Sequence, residues 1–243
     1  MILIKFVAQS GILSRRKSEE AIKTGLVRVN GSVLADPTYE VKPNDIIFYN
    51  NKKIFIKQFT YLLLNKPNQF LTSKNDPSGL PLITELLPIR FQQNLDPVGR
   101  LDFNTSGALL LTDDGELAYN LSHPKFNIRK TYAVIASRAI DKEIIENLKK
   151  GVYLEDGMVQ ADNIIWNERS PNTLTITLHG GKYRIIRRLL EQFNIFVKKL
   201  HRVQFGPIQI KKLPLGMWRH LEKKEIEELR KQITINKIKT KNK

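Results

Sequence analysis

The sequence predicts an α+β chain in which a small N-terminal domain precedes a larger one, and three observations carry that reading. Thr173-Leu174-Thr175-Ile176-Thr177-Leu178 alternates polar and apolar residues with a period of two, as a half-buried strand does. The continuous run Ala108-Leu109-Leu110-Leu111 reads as a buried strand behind a loop rich in Asn, Thr, Ser and Gly. From Lys182 the period turns helical, because Ile186, Leu189, Leu190 and Phe193 fall at i, i+3, i+4 and i+7.

The N-terminal domain is assigned to residues 1–56. An apolar segment at 2–9 and a second segment at 14–24 read as short helices, with Gly25 suited to the position just past a helix end. Val27-Arg28-Val29-Asn30-Gly31-Ser32-Val33 sets Asn-Gly between alternating residues, the strongest short-range hairpin signal. Pro43-Asn44-Asp45 turns the chain into the apolar strand 46–49. This arrangement would present Arg15, Arg16, Lys17 and Arg28 outward. Basic residues in a helix's first turn oppose its dipole, so helix stability does not account for them. A phosphate backbone does; the competing reading is a solvated basic face.

Residues 57–60 form a polar linker, and the larger domain spans 61–222. Residues 61–64 read as a buried strand, 73–79 as a turn-rich loop and 80–87 as a short helix before Pro88. A helix is expected at 116–121 and a strand at 128–134. A further helix at 141–150 has Asp141 as its N-cap and Gly151 past its end. Strands are expected at 157–165 and 197–203. Residues 223–243 read as a C-terminal helix and basic tail, with helix at 222–235 and disorder from 236.

Composition narrows the chemistry. Forty Lys and Arg against 24 Asp and Glu give a net charge of +16 and a pI near 9.9, so a polyanionic partner is expected and nucleic acid comes first. An anionic membrane is the competitor, but no long apolar segment or signal-like start appears, and a soluble, cytoplasmic protein is expected. The absence of cysteine excludes a disulfide framework, a thiolate nucleophile and cysteine-ligated metal. His123, His179, His201 and His220 lack ligand spacing, so no metal site is expected. With no Walker loop or dinucleotide fingerprint, no cofactor is expected and ordinary side chains must do the work.

The candidate site lies in Pro97-Val98-Gly99-Arg100-Leu101-Asp102-Phe103-Asn104-Thr105-Ser106-Gly107, which sets a carboxylate and an arginine on a loop braced by the buried strand. Read locally, Asp102 is either a turn residue or a catalytic carboxylate. Gly-Arg-Leu-Asp, two variable residues, Thr-Ser-Gly and a leucine run resemble the signature of the RNA pseudouridine synthases, in the branch that modifies single ribosomal RNA uridines. In that family the residue matching Asp102 is catalytic. Three further stretches resemble the family: Lys66-Pro67 after the first strand, Lys130-Thr131-Tyr132, and Gly181-Lys182-Tyr183-Arg184-Ile185-Ile186-Arg187-Arg188. The N-terminal segment resembles the S4 RNA-binding domain through Ser10-Gly11, Ser14-Arg15-Arg16, Gly25 and 27–31.

The resemblance implies a mixed, mostly antiparallel sheet with flanking helices. It also implies an active-site tyrosine at Tyr132 and an arginine, Arg187, that supports Asp102 by an ion pair. Lys66, Arg100, Lys130, Arg184 and Arg188 join Arg15, Arg16, Lys17 and Arg28 as expected RNA contacts. Two departures stand out: Ile2 where the S4 pattern usually has Arg, and Ile185 where the synthase motif has Gln or Glu.

The expected activity is isomerisation of one uridine of ribosomal RNA, or of a ribosomal subunit precursor, by a monomer, with the large subunit favoured. Asp102 is ionised in each version of the chemistry, as nucleophile toward sugar or base, or as base toward the C2′ proton. The alternative is a non-catalytic RNA-binding or ribosome-assembly protein on the same scaffold.

Overall fold

In the computed structural model of the protein, which describes residues 1–241, the chain divides into two compact units, Met1–Phe59 and a second unit beginning at Thr60. The first contains helices α1 (Leu3–Gln9) and α2 (Arg15–Lys23) and strands β1 (Val27–Val29), β2 (Ser32–Val33), β3 (Ile47–Tyr49) and β4 (Lys52–Lys53). The strands form a sheet of order β2-β1-β3-β4. Asn30 and Gly31 both take positive φ, 53° and 87°, as a tight hairpin turn requires. Leu3, Val7, Ile22, Val27 and Ile47 fill the core. The outward residues of α2 and β1 include Arg15, Arg16, Lys17 and Arg28, all exposed.

The second unit begins with β5 (Tyr61–Lys66), a 3₁₀ turn (Ile83–Leu86), α3 (Ile89–Gln92), β6 (Asp96–Pro97) and β7 (Ser106–Thr112). It continues through α4 (Gly115–Ser122), a second 3₁₀ turn (Pro124–Phe126), β8 (Lys130–Ala136) and α5 (Lys142–Lys150). Next come β9 (Val152–Leu154), β10 (Gly157–Val159), β11 (Asn163–Trp166), β12 (Thr173–Leu178) and α6 (Ile185–Glu191). The last elements are β13 (Val197–Phe205), β14 (Ile208–Gln209), β15 (Trp218–His220) and α7 (Lys223–Lys241). The main sheet runs β11-β12-β8-β13-β7-β5-β15, with β14 on β13 and β6 on β7. Among the described residues its pairings are antiparallel except β7 with β13, which is parallel. The expected mixed, mostly antiparallel sheet with flanking helices is what the chain forms.

Why β5 and β7 are apolar without alternation follows from their burial. Leu62, Leu64, Leu109 and Leu111 pack on one face, while Leu63, Ala108 and Leu110 pack on the other, against Leu229 and Ile233 of α7. Each such leucine contributes about 1.5–3 kcal/mol on full burial. The other half of the sheet packs Val134, Leu174, Ile176 and Leu178 against Ile145 and Leu148 of α5 and Leu189 and Leu190 of α6.

Several expected boundaries change. Residues 80–87 are extended up to Leu82 and then make a single 3₁₀ turn, because Leu82 bridges to Leu71. Residues 157–165 split into β10, which pairs with β9, and β11, which pairs with β12. Asp141 stands at the N-cap of α5 without a side-chain capping bond. The last helix runs to Lys241 rather than ending at 235. Asn236 Nδ2 donates to the Phe126 carbonyl at 2.6 Å, and the Lys237 ammonium lies 5.7 Å from the Phe126 ring centroid. The expected tail at 242–243 lies outside the described residues. No helix among the described residues is long and apolar enough to cross a membrane.

The parallel pairing depends on Gly107. Its φ is +115°, and a Cβ there would sit 2.3 Å from the Arg202 carbonyl oxygen and 2.5 Å from its amide nitrogen. Gly107→Ala is therefore expected to destabilise the second unit by about 3 kcal/mol or more, since backbone cannot yield as a side chain can. Chemical denaturation monitored by tryptophan fluorescence checks this, because Trp166 and Trp218 both lie in that unit.

Candidate active site

The loop before β7 is held by its own carbonyls. Five consecutive ones, from Leu101 to Thr105, accept hydrogen bonds from other parts of the chain. The Thr72 hydroxyl donates to Leu101 O (2.7 Å) and the Gln69 amide to Phe103 O (2.8 Å). The Lys66 ammonium donates to Asp102 O (3.2 Å) and Thr105 O (3.0 Å), besides Pro67 O (3.1 Å). Arg187 donates from one nitrogen to Asn104 O (2.8 Å) and from another to Val197 O (2.9 Å). The loop is thus fixed from the sheet on one side and α6 on the other, while the Asp102 carboxylate accepts no hydrogen bond from a described residue.

That carboxylate lines a cavity of about 330 Å³, within the range of small-molecule sites. The walls include Tyr132 of β8, Leu178 of β12, Leu200, Arg202 and Phe205 of β13, and Ile185 and Ile186 of α6. Arg100, Lys130, Lys182, Arg184 and Arg202 bring five cations to it, and among the described lining residues Asp102 alone carries a carboxylate. Arg184 takes left-handed backbone, φ 46° and ψ 33°, just before α6, a conformation that non-glycine residues keep only where the surroundings enforce it.

Three expected roles need correction. Lys66, expected to touch RNA, is 0% exposed and lies beneath the loop, so its ammonium is out of reach of a nucleic acid backbone. Burial, opposed by the charge of Asp102, pushes it down to about 8. Arg187 is 8% exposed and forms no ion pair within 4 Å of Asp102 among the described residues; its guanidinium is occupied by two carbonyls. It acts on Asp102 at longer range, its own value lowered by burial and by Arg184, with the Asp102 charge pulling the other way. Arg188 turns away to Asp156, with one nitrogen 2.8 Å from the carboxylate and another donating to Tyr183 O at 2.9 Å.

Asp102, Tyr132, Arg100, Lys130 and Arg184 are brought together on the cavity. Arg202 and Phe205 escaped the sequence reading. The available signal was periodicity, because Leu200 and Arg202 share the buried face of a strand whose other charges point outward.

A single carboxylate in a cavity lined by five cations makes a site suited to an anionic ligand. The model of the RNA pseudouridylate synthase family matches residues 60–192, and that of the S4 domain matches residues 3–47. The chain belongs to the RNA pseudouridine synthase family, whose members are isomerases. It is 38% identical over 238 residues to an RNA pseudouridine synthase of Aquifex aeolicus (strain VF5), covering 96% of this chain and 95% of that one. To the ribosomal large subunit pseudouridine synthase B of Bacillus subtilis (strain 168) it is 35% identical over 232 residues, covering 94% and 95%. A solved structure described as a pseudouridylate synthase superposes with a TM-score of 0.67 at 27% identity, covering 94% of this chain and 99% of that one.

Proposed function

We propose that this enzyme isomerises one uridine of ribosomal RNA, in the large subunit, to pseudouridine, with Asp102 as the group that acts on the nucleotide. The observation that carries this reading is the lone, unbonded carboxylate of Asp102 on a loop whose five carbonyls are tied down. A group fixed before the substrate arrives loses little on reaching the transition state. The large subunit is favoured by the relatives that carry it in their name.

The reaction breaks the bond from base N1 to ribose C1′, turns the base and rejoins it through C5. Asp102 serves as nucleophile on sugar or base, or takes the C2′ proton. Tyr132 offers a flat face to the uracil, and Leu200 and Ile186 exclude water. Arg187 keeps Asp102 in position through the Asn104 carbonyl and Lys66 through two others, so both are positioning residues. A uridine inside a helix is unreachable, so the target is extruded or lies in a loop. Arg100 and Arg184 bind its phosphates, while Arg15, Arg16, Lys17 and Arg28 of the S4 domain hold flanking RNA of a ribosomal subunit precursor, with the enzyme acting as a monomer.

The test is to map pseudouridine in ribosomal RNA from cells lacking the protein and re-expressing either the wild type or Asp102→Ala. The expected result is one lost site in the large-subunit RNA, restored by the wild type alone. Full modification in the absence of the protein overturns the assignment.

A further inference from the structure

The cavity holds more positive charge than its carboxylate can balance, and two of its cations are placed expensively. Lys130 leaves β8 partly buried, and its ammonium donates to the Gly180 carbonyl at 2.5 Å and lies 5.6 Å from the centroid of the Phe205 ring. Among the described residues it has no carboxylate partner. Arg202, on β13 opposite Tyr132, is 2% exposed and stands 5.1 Å from the same ring. Its Nε donates to Ala108 O at 2.6 Å, while one terminal nitrogen is buried with no hydrogen-bond partner. Unpaired buried cations are costly to keep, so a site that keeps two beside a cavity is built for negative charge that arrives with the ligand.

We propose that Lys130, seconded by Arg202, is a catalytic residue that stabilises the uracil anion formed when the N1–C1′ bond breaks, an inference that rests on the isomerisation proposed above. The bond breaks with its electron pair kept by the base, whose negative charge spreads over N1, O2 and O4. The sugar's deficit is met by bonding to Asp102 or by giving it the C2′ proton, later returned. The turned base then supplies an electron pair from C5 to C1′, any C1′–Asp102 bond breaks with its pair returning to the carboxylate, the C5 proton leaves and one proton arrives at N1, so nothing is oxidised and no atom is imported. A cation disfavoured in the empty site and relieved only when the base turns anionic binds the transition state better than the ground state, which is what accelerates a step.

The surroundings give this charge a pH signature. Burial, with Arg202 adding to it, pushes Lys130 down to about 8. The charged or titratable residues that line the cavity with it are Arg202 from β13, Arg100 and Asp102 from the loop before β7, Tyr132 from β8, and His179, Lys182, Tyr183 and Arg184 from the segment after β12. Lys66, beneath the loop, is also pushed down to about 8, so the test must separate the two lysines. A lysine lowered in the folded protein carries its charge below that value and loses it above, so kcat/KM should fall as pH rises through about 8.

The experiment measures kcat/KM and single-turnover rates against pH on a ribosomal RNA fragment containing the mapped uridine, with RNA affinity measured separately. Lys130→Gln is expected to lower the single-turnover rate by about 10²–10³-fold at pH 7, without weakening RNA binding, and to abolish the alkaline decline. Lys130→Arg, which stays charged, should keep more activity than Lys130→Gln and move the decline to higher pH. Thermal melting identifies a variant that fails to fold, in which case the wild-type profile and the remaining variant decide. A Lys130→Gln rate near wild type, or an alkaline decline that persists in it, overturns the role of Lys130 while leaving the isomerisation standing. A wild type that forms no pseudouridine overturns both.

Discussion

Asp102→Asn is expected to lower the rate of pseudouridine formation by about 10⁴-fold or more while leaving RNA affinity and melting temperature close to wild type. The amide has the carboxylate's shape but can serve neither as anionic nucleophile nor as base. The fold should tolerate it because the loop is braced through backbone carbonyls, and the carboxylate accepts no hydrogen bond from a described residue. Single-turnover kinetics with saturating enzyme separates the chemical step from binding. A variant that binds RNA normally and turns over within tenfold of wild type would falsify the assignment of Asp102.

The second large effect is expected from Lys66→Met. The thioether fills similar space but supplies no donor to Pro67 O, Asp102 O and Thr105 O. Asp102 O keeps the Thr105 amide as a partner, but a buried carbonyl left with none costs about 1–3 kcal/mol, and the loop should respond by moving Asp102 rather than by unfolding the sheet. The measurable result is a loss of about 10²-fold in kcat with a smaller change in RNA affinity, since Lys66 cannot reach the RNA. Stability carries a pH test as well. Burial holds Lys66 near 8 in the folded protein against an ordinary 10.5, so the folded state sheds this proton before the unfolded chain does. The unfolded chain therefore binds more protons between those values, and folding stability gains as pH rises from about 8 to 10.5. Urea denaturation of wild type and Lys66→Met across that window should show the wild type gaining stability relative to the variant as pH rises, since the variant has no ammonium there to titrate.

What the sequence made legible was local. Thr173–Leu178 is a strand with the expected bounds because its alternation matches a sheet with one face on α5 and α6. The Asn30-Gly31 turn was readable because few residues other than Asn and Gly accept two successive positive φ angles. The motif was enough to single out Asp102, which the fold places beside the cavity. The hairpin of β9 and β10 was missed because each strand is three residues long and is defined by its partner rather than by its own pattern. The end of α7 was missed because its composition, rich in Lys, Asn and Thr, is that of a tail, whereas what pins it is Phe126, 110 residues away from Asn236 in sequence.

The deepest misreading concerns cations. A lysine or arginine in a basic chain invites assignment to an anion, phosphate for Lys66 and the Asp102 carboxylate for Arg187, yet the two donate to carbonyls 39 and 83 residues distant at Thr105 and Asn104. Nothing local announces such a partner. A guanidinium between two carbonyls and an ammonium among three do the same physical work, fixing an irregular loop that lacks a sheet ladder of its own. Arg188, drawn to Asp156, belongs to the same class of side chains that shape the site.

The most direct measurement is tritium release from large-subunit ribosomal RNA whose uridines are tritiated at C5, because joining C5 to C1′ must expel that hydrogen. Wild-type enzyme should release the label from a single uridine per RNA, and Asp102→Asn, bound to the same RNA, should release none. Release by Asp102→Asn at the wild-type rate, or none from the wild type on any ribosomal RNA, would contradict the account.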